Sequence, residues 1–188
     1  MNIDILDSLN SAFGGPLVKQ ASSFLDESEN NTRSAARSTF PALLAGLIHK
    51  STTPSGAADA FRSITSDAVD PGITGQLSSI LGNRGSLDSL LSNGERLNSA
   101  MLGNRSGGVA NAIAQVAGIR PGSATALLSM GAPLLLGLLK KHVTEGGLNA
   151  GGLANLLFSQ RGSLERTGLD NRIASALGIG SQIGKSVV

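Results

Sequence analysis

Two stretches of this 188-residue chain are too apolar to lie along a water-facing surface, and any fold must wrap other elements around them. FPALLAGLI (Phe40–Ile48) and APLLLGLLK (Ala132–Lys140) each carry a proline in second place, Pro41 or Pro133, and continue mainly in leucine, alanine and glycine. The longer uncharged run, Pro121–Leu139, nearly matches the ~20 apolar residues that cross a hydrocarbon core. It also contains Ser123, Thr125, Ser129 and two prolines, and Thr39–Ile48 is too short to cross. One assumption covers both stretches: each is a buried core helix, with Leu43, Leu44, Leu135 and Leu136 in the core. An interior proline removes a helical hydrogen bond, so Pro41 and Pro133 are read as kinks or restarts after flanking helices Thr32–Thr39 and Ser123–Met130. Gly46 and Gly137 are expected to let neighbouring backbones approach closely.

The resemblance between the two stretches is part of a longer pattern. LNSA occurs at Leu9–Ala12 and Leu97–Ala100, 88 residues apart, Pro41 and Pro133 are 92 apart, and RGSL at Arg84–Leu87 and Arg161–Leu164 is 77 apart. Each RGSL follows a leucine-rich segment, GITGQLSSILGN (Gly72–Asn83) or GLNAGGLANLLFSQ (Gly147–Gln160). The order is the same in both halves, so the chain reads as an internal duplication. The first unit is assigned to residues 1–95 and the second to 96–188, together one compact domain. The shrinking offset places about fifteen extra residues in the first unit, around Ser51–Val69.

Periodicity makes the units helical. Val109, Ala112, Ile113 and Val116 fall at i, i+3, i+4 and i+7, and Leu77/Ile80/Leu81 and Leu153/Leu156/Leu157 repeat that spacing. Turn signals at Gly14-Gly15-Pro16, Thr53-Pro54-Ser55-Gly56, Asp70-Pro71-Gly72, Arg120-Pro121-Gly122 and Gly146-Gly147 divide the chain into about eight to ten short helices. With five Phe and no Tyr or Trp, the core must be built from Leu, Ile, Val and Ala. The expected fold is all-α, with two related multi-helix units around one Leu/Ala-rich core.

Composition removes whole functional classes. The absence of cysteine excludes thiol nucleophiles, disulfide scaffolds and Cys-containing metal sites. A net charge of +2 without a polybasic run, and without Tyr or Trp to stack on bases, argues against nucleic acid as a partner. No G-x-S-x-G elbow is present, and two histidines leave little for a catalytic triad. GIGSQIGKS (Gly178–Ser186) misses the phosphate-loop spacing, because Ile179 stands where its first glycine belongs. His49 and His142 each follow an apolar helix, and are read with Lys50, Lys140 and Lys141 as cations at helix C-termini, not as metal ligands. Asp26, Glu27 and Glu29 are read as the solvated approach to a helix capped by Asn30, Asn31 or Thr32. The N-terminus lacks the basic and apolar regions of a secretory signal. Arg84 and Arg161 open the two RGSL strings. Gly85 and Gly162 suit helix ends there, with Ser86 and Ser163 as the following caps. The functional alternative makes the two arginines a related pair contacting an anionic partner.

The segments Ser22–Phe61, SSFLDESENNTRSAARSTFPALLAGLIHKSTTPSGAADAF, and Leu102–His142, LGNRSGGVANAIAQVAGIRPGSATALLSMGAPLLLGLLKKH, resemble the YidB-like bacterial family, a domain of unknown function. The resemblance implies a helical bacterial protein with no established activity, catalytic residues or cofactor. Some members continue into a membrane span and an OmpA-like peptidoglycan-binding domain, which would make this chain an N-terminal module on the cytoplasmic side of the cell envelope, tethered through a further C-terminal region.

From these readings the expected function is a non-enzymatic helical interaction or scaffold module. It needs no cofactor or metal, and its partner is another protein or a second copy of itself. The rival expectation is a membrane-surface or membrane-inserting protein that uses residues 126–139.

Overall fold

A computed structural model describes residues 3–179, and among them every regular element is helical. In chain order these are α1 (Ile5–Ala12), α2 (Gly15–Leu25), α3 (Glu29–Lys50), α4 (Pro54–Thr65), α5 (Ile73–Leu81) and α6 (Arg84–Leu102). A 3₁₀ turn (Gly103–Arg105) leads into α7 (Ser106–Ala117), α8 (Pro121–Gly146), α9 (Ala150–Ser159), α10 (Arg161–Thr167) and α11 (Asn171–Ala176).

The turn signals become helix starts. Thr53 caps α4 by accepting from the Gly56 N–H at 3.1 Å, and Pro54 takes the first helical position, where its missing N–H costs nothing. Pro16 and Pro121 likewise sit in the first turns of α2 and α8. Ser28, and not one of Asn30–Thr32, caps α3, accepting from the Asn31 N–H at 3.1 Å.

The apolar stretches belong to the two longest helices, α3 with 22 residues and α8 with 26. Each runs through its proline unbroken, so Pro41 and Pro133 are interior helical residues and neither restarts a helix. Every residue from Thr39 to Ile48 and from Leu127 to Gly137 is buried, Leu43, Leu44, Leu135 and Leu136 among them. α8 packs on α6, α3 and α7, and α3 packs in addition on α7, α2 and α6. Buried apolar side chains from Ile5 to Ile179 join in one cluster around this pair. Pro121–Gly146 is long and apolar enough to cross a membrane, with mean hydropathy 1.6 over its best window, but 78% of that window is buried inside the protein.

Small residues set how closely the helices approach. α3 and α8 meet at Gly131, where a methyl group would lie 2.9 Å from Leu43 Cδ1 and 3.2 Å from Thr39 Cγ2. A methyl on Gly94 of α6 would overlap the Ser129 carbonyl oxygen and stand 2.5 Å from its carbon. Gly137 meets backbone as expected, with Asp70 O 2.5 Å from the would-be methyl. Gly46 instead faces a side chain, Leu102. Ser51–Val69, where the sequence places the extra residues of the first unit, holds α4. α6 is one continuous helix through positions 95 and 96.

Candidate functional site

The RGSL strings begin helices instead of separating them. Arg84 is the exposed first residue of α6. Asn83 caps that helix by accepting from the Ser86 N–H at 3.0 Å, so Gly85 lies inside the helix and Ser86 is not the cap. Arg161 is the exposed first residue of α10, with its guanidinium carbon 4.8 Å from the centre of the Phe158 ring. Gly162 is likewise inside the helix, and Ser163 is buried and donates to Asp4 Oδ2 at 2.6 Å. α6 packs chiefly on α8, whereas α10 packs on α9 and α3, so the two arginines are set in different surroundings.

Arg161 borders a groove of about 290 Å³ between α10 and the C-terminal half of α3. Ala45, Ile48, Leu164 and Leu169 supply its aliphatic walls, and His49 and Glu165 join Arg161 as its polar lining. On the other side of Gly168 and Leu169 lies a more polar hollow of about 380 Å³, bordered by Arg37, Ser38, Pro41 and Asp170. Gly168, at φ +72°, turns the chain between α10 and α11 in the left-handed region, where a side chain would be strained. An aliphatic trough with one guanidinium, one imidazole and one carboxylate suits the capture of apolar side chains with a charged neighbour.

The histidines and lysines divide differently from the expectation. His49 and Lys50 do occupy the last turn of α3. α8 continues beyond His142 to Gly146, and its last turn holds no basic residue. Lys140 and Lys50 bind the ends of other helices. Lys140 Nζ donates to Ser66 O at 2.8 Å and Val69 O at 2.9 Å just after α4, and Lys50 Nζ donates to Ala100 O at 2.5 Å near the end of α6. His142 is half-buried, and its Nε2 has no hydrogen-bond partner. Among the described residues no group of three or more His, Asp or Glu side chains is placed to hold a metal ion.

Two polar clasps connect distant parts of the chain. Gln160, 3% exposed, donates from Nε2 to Ile3 O at 2.8 Å and accepts from the Ile5 N–H at 3.0 Å, fixing α1 to the start of α10. Beside it, burial pushes the Asp4 carboxyl up, but the Ser163 hydroxyl, the Asp7 N–H and the Arg166 guanidinium at 3.0 Å outweigh it and hold Asp4 below its ordinary value. In the second clasp Glu27 accepts from the Arg120 backbone N–H at 3.1 Å, from the Ser123 hydroxyl at 2.8 Å and from Arg120 Nε at 3.1 Å. These donors, the backbone N–H first, hold Glu27 below the usual carboxylate range. Arg120 Nη2 also donates to Leu25 O and Asp26 O, and Asn31 Nδ2 donates to Gly118 O at 3.2 Å. Glu27 is therefore a structural ion-pair partner instead of part of a solvated approach. Partners 87 or more residues apart leave no local pattern, so neither clasp has a signature in the sequence.

A comparison with curated proteins and with solved structures finds no match. The family comparison does: residues 7–142, from α1 through most of α8, match the bacterial proteins of unknown function DUF937, and the chain belongs to that family.

Proposed function

We propose that this chain is a non-enzymatic helical interaction module, built from two related units, that binds another protein through the groove between α3 and α10. The observation that carries the reading is the groove itself: Leu164 and Leu169 are only half-buried where they line it beside the buried Ala45 and Ile48, with Arg161 over Phe158 at the edge. Arginine is among the residues enriched in binding hot spots, and apolar pockets with a few polar groups are the usual form of binding sites. Duplication is supported by the order of elements. α1, α3, α5 and the start of α6 carry the first set of matching strings, and the end of α6, α8, α9 and α10 carry the second. Arg84 serves the fold's surface in this reading, and Arg161 is the contact residue.

The test is photo-crosslinking in the bacterium that makes the protein, with a benzophenone amino acid at position 165 in the groove or at exposed position 86 on α6. A discrete protein adduct from position 165, absent from position 86 and lost on Arg161→Ala, is expected. Equal adducts from both positions, or none from 165, overturn the reading. The YidB-like resemblance extends the proposal to a module held on the cytoplasmic side of the envelope, and the mass and cell fraction of the native protein test that extension.

The hydropathy of Pro121–Gly146 favours a second reading, insertion into membranes by residues 126–139. It requires the α8 core to open, and predicts co-flotation with lipid vesicles that survives high salt. Protein remaining at the bottom of the gradient rejects it.

A further inference from the structure

α10 is attached differently from its neighbours. Its one buried residue is Ser163, and its one leucine, Leu164, is half-buried. α9 sinks Leu153 and Leu157 into the core, and α11 sinks Ile173 and Ala174, with Leu177 just beyond. Gln160, buried immediately before α10, is tied to Ile3 and Ile5 and fixes one end of the segment, as Ile173 fixes the other. Between these ends the hold is polar: Ser163 Oγ and Arg166 Nη2 both donate to Asp4 Oδ2. Hydrogen bonds exchange for bonds to water when a segment lifts, so they resist opening less than the burial of several leucine and isoleucine side chains does.

The segment crosses a continuous face of α3. Ser34, Arg37 and Pro41 border the polar hollow, and Ala45 and Ile48 border the groove. Steps of three, four, four and three residues keep all five on one side of the helix. Gly168 and Leu169 line both spaces and divide them. Gly168, at φ +72°, ends α10 and turns the chain toward α11.

From this we infer that α10 and the turn at Gly168 form a strap across α3, latched by Ser163 and Arg166 on Asp4. The strap lifts while α9 and α11 stay in place, and its lifting joins the hollow and the groove into one recess along α3. Local opening of this kind draws on the least apolar attachment in a fold. The latch partner, Asp4, also caps α1 by accepting from the Asp7 N–H, so the first residues of the chain govern access to a recess built near its end. The strap gives the groove of the interaction reading a movable wall, but its opening belongs to the chain alone and is measured without a partner.

Amide hydrogen exchange on the full chain tests the strap. The reporters are Leu164 and Gly168, whose N–H groups donate to Gln160 O and Leu164 O, against Leu153 in α9 and Ala174 in α11, which donate to Asn149 O and Asp170 O. Corrected for intrinsic rates, Leu164 and Gly168 are expected to exchange at least about tenfold faster than Leu153 and Ala174. Ser163→Ala and Arg166→Ala should each speed the strap amides about threefold or more, and leave Leu153 and Ala174 within about twofold of wild type. Arg166 is exposed, so its variant carries the test if Ser163→Ala fails to fold. α11 is one residue shorter than α10, so equal exchange in the two would assign the opening to helix length and overturn the inference. Acceleration of α9, α10 and α11 together makes them one unit and overturns it too, as does exchange of the strap amides that ignores both variants. A crosslink from position 165 without separate opening of α10 rejects the strap and keeps the interaction reading. Separate opening without a crosslink does the reverse.

Discussion

Gly94 is the position where one methyl group should do most damage. It lies mid-way along α6, on the face it shares with Leu90, Leu97 and Met101, in the most extensive helix pair of the fold. Its Cα stands against the Ser129 carbonyl of α8, whose ordinary helical donor would be the N–H that Pro133 lacks. A methyl would overlap that oxygen and stand 2.5 Å from Ser129 C and 2.9 Å from its Cα, all backbone atoms that no rotamer change can move. The helices must part by about an ångström or more, and a gap of ~0.5–1 Å forfeits a quarter to a half of a contact's dispersion well. Leu90, Leu97 and Met101 each contribute about 1.5–3 kcal/mol by burial. Losing a quarter to a half of that, against a helix-propensity gain of about 0.5–1 kcal/mol for Ala over Gly, leaves Gly94→Ala destabilising by about 2 kcal/mol at the middle of these ranges. Urea unfolding followed by circular dichroism measures it. Gly107→Ala is the control, since nothing lies within 4 Å of that site and propensity alone should stabilise by up to about 1 kcal/mol. Pro133→Ala restores the donor for the Ser129 carbonyl, so in that background Gly94→Ala should cost less by at least about 0.5 kcal/mol. A Gly94→Ala variant within ~0.5 kcal/mol of wild type, or strict additivity with Pro133→Ala, would refute the packing argument.

Asp4 and Glu27 both have folded pKa values below their unfolded ones. The unfolded chain therefore binds more protons in acid, and the stability they contribute is present above pH ~4–4.5 and lost as pH falls through the folded values. Asp4→Asn and Glu27→Gln should each flatten the acid limb of stability against pH, and an unchanged limb would remove both clasps as stabilising features. Lys140→Met takes the donor from the Ser66 and Val69 carbonyls and should cost about 1–2 kcal/mol. In hydrogen exchange the loss should appear first as faster exchange in α4. Arg84→Ala with Arg161→Ala should change stability by at most about 1 kcal/mol, because both are exposed and only the Arg161–Phe158 contact is lost. A thermal melt that shows global unfolding would make the pair structural.

Helical class, core helices and most helix starts were legible because each is written locally, in i/i+3/i+4 spacing or in a Thr-Pro or Gly-Pro start. Helix ends were less so. Nothing around Lys140-Lys141-His142 distinguishes a terminus from a helix that continues one more turn before Gly147, at φ +58°, turns out of it. RGSL was misplaced for a related reason: glycine in a first helical turn and glycine after a last one have the same composition. At the site, Arg161 could be singled out as a repeated residue, but Leu164 looks like an ordinary core position. Its half-burial depends on how α10 lies against α3 and α9, which no local pattern records.

The prolines show how one sequence feature in duplicate is accommodated by two physical solutions. Each leaves the carbonyl four residues earlier without its helical donor, Arg37 O in α3 and Ser129 O in α8. Arg37 is exposed and borders the 380 Å³ hollow together with Pro41, so its carbonyl has water to turn to. Ser129 is buried beneath α6, and there the backbone of Gly94 comes close enough for a Cα–H contact to the oxygen. A side chain at 94 would overlap that carbonyl oxygen. The small residue in α6 is thus tied to the proline in α8, whereas Pro41 needs no glycine opposite it.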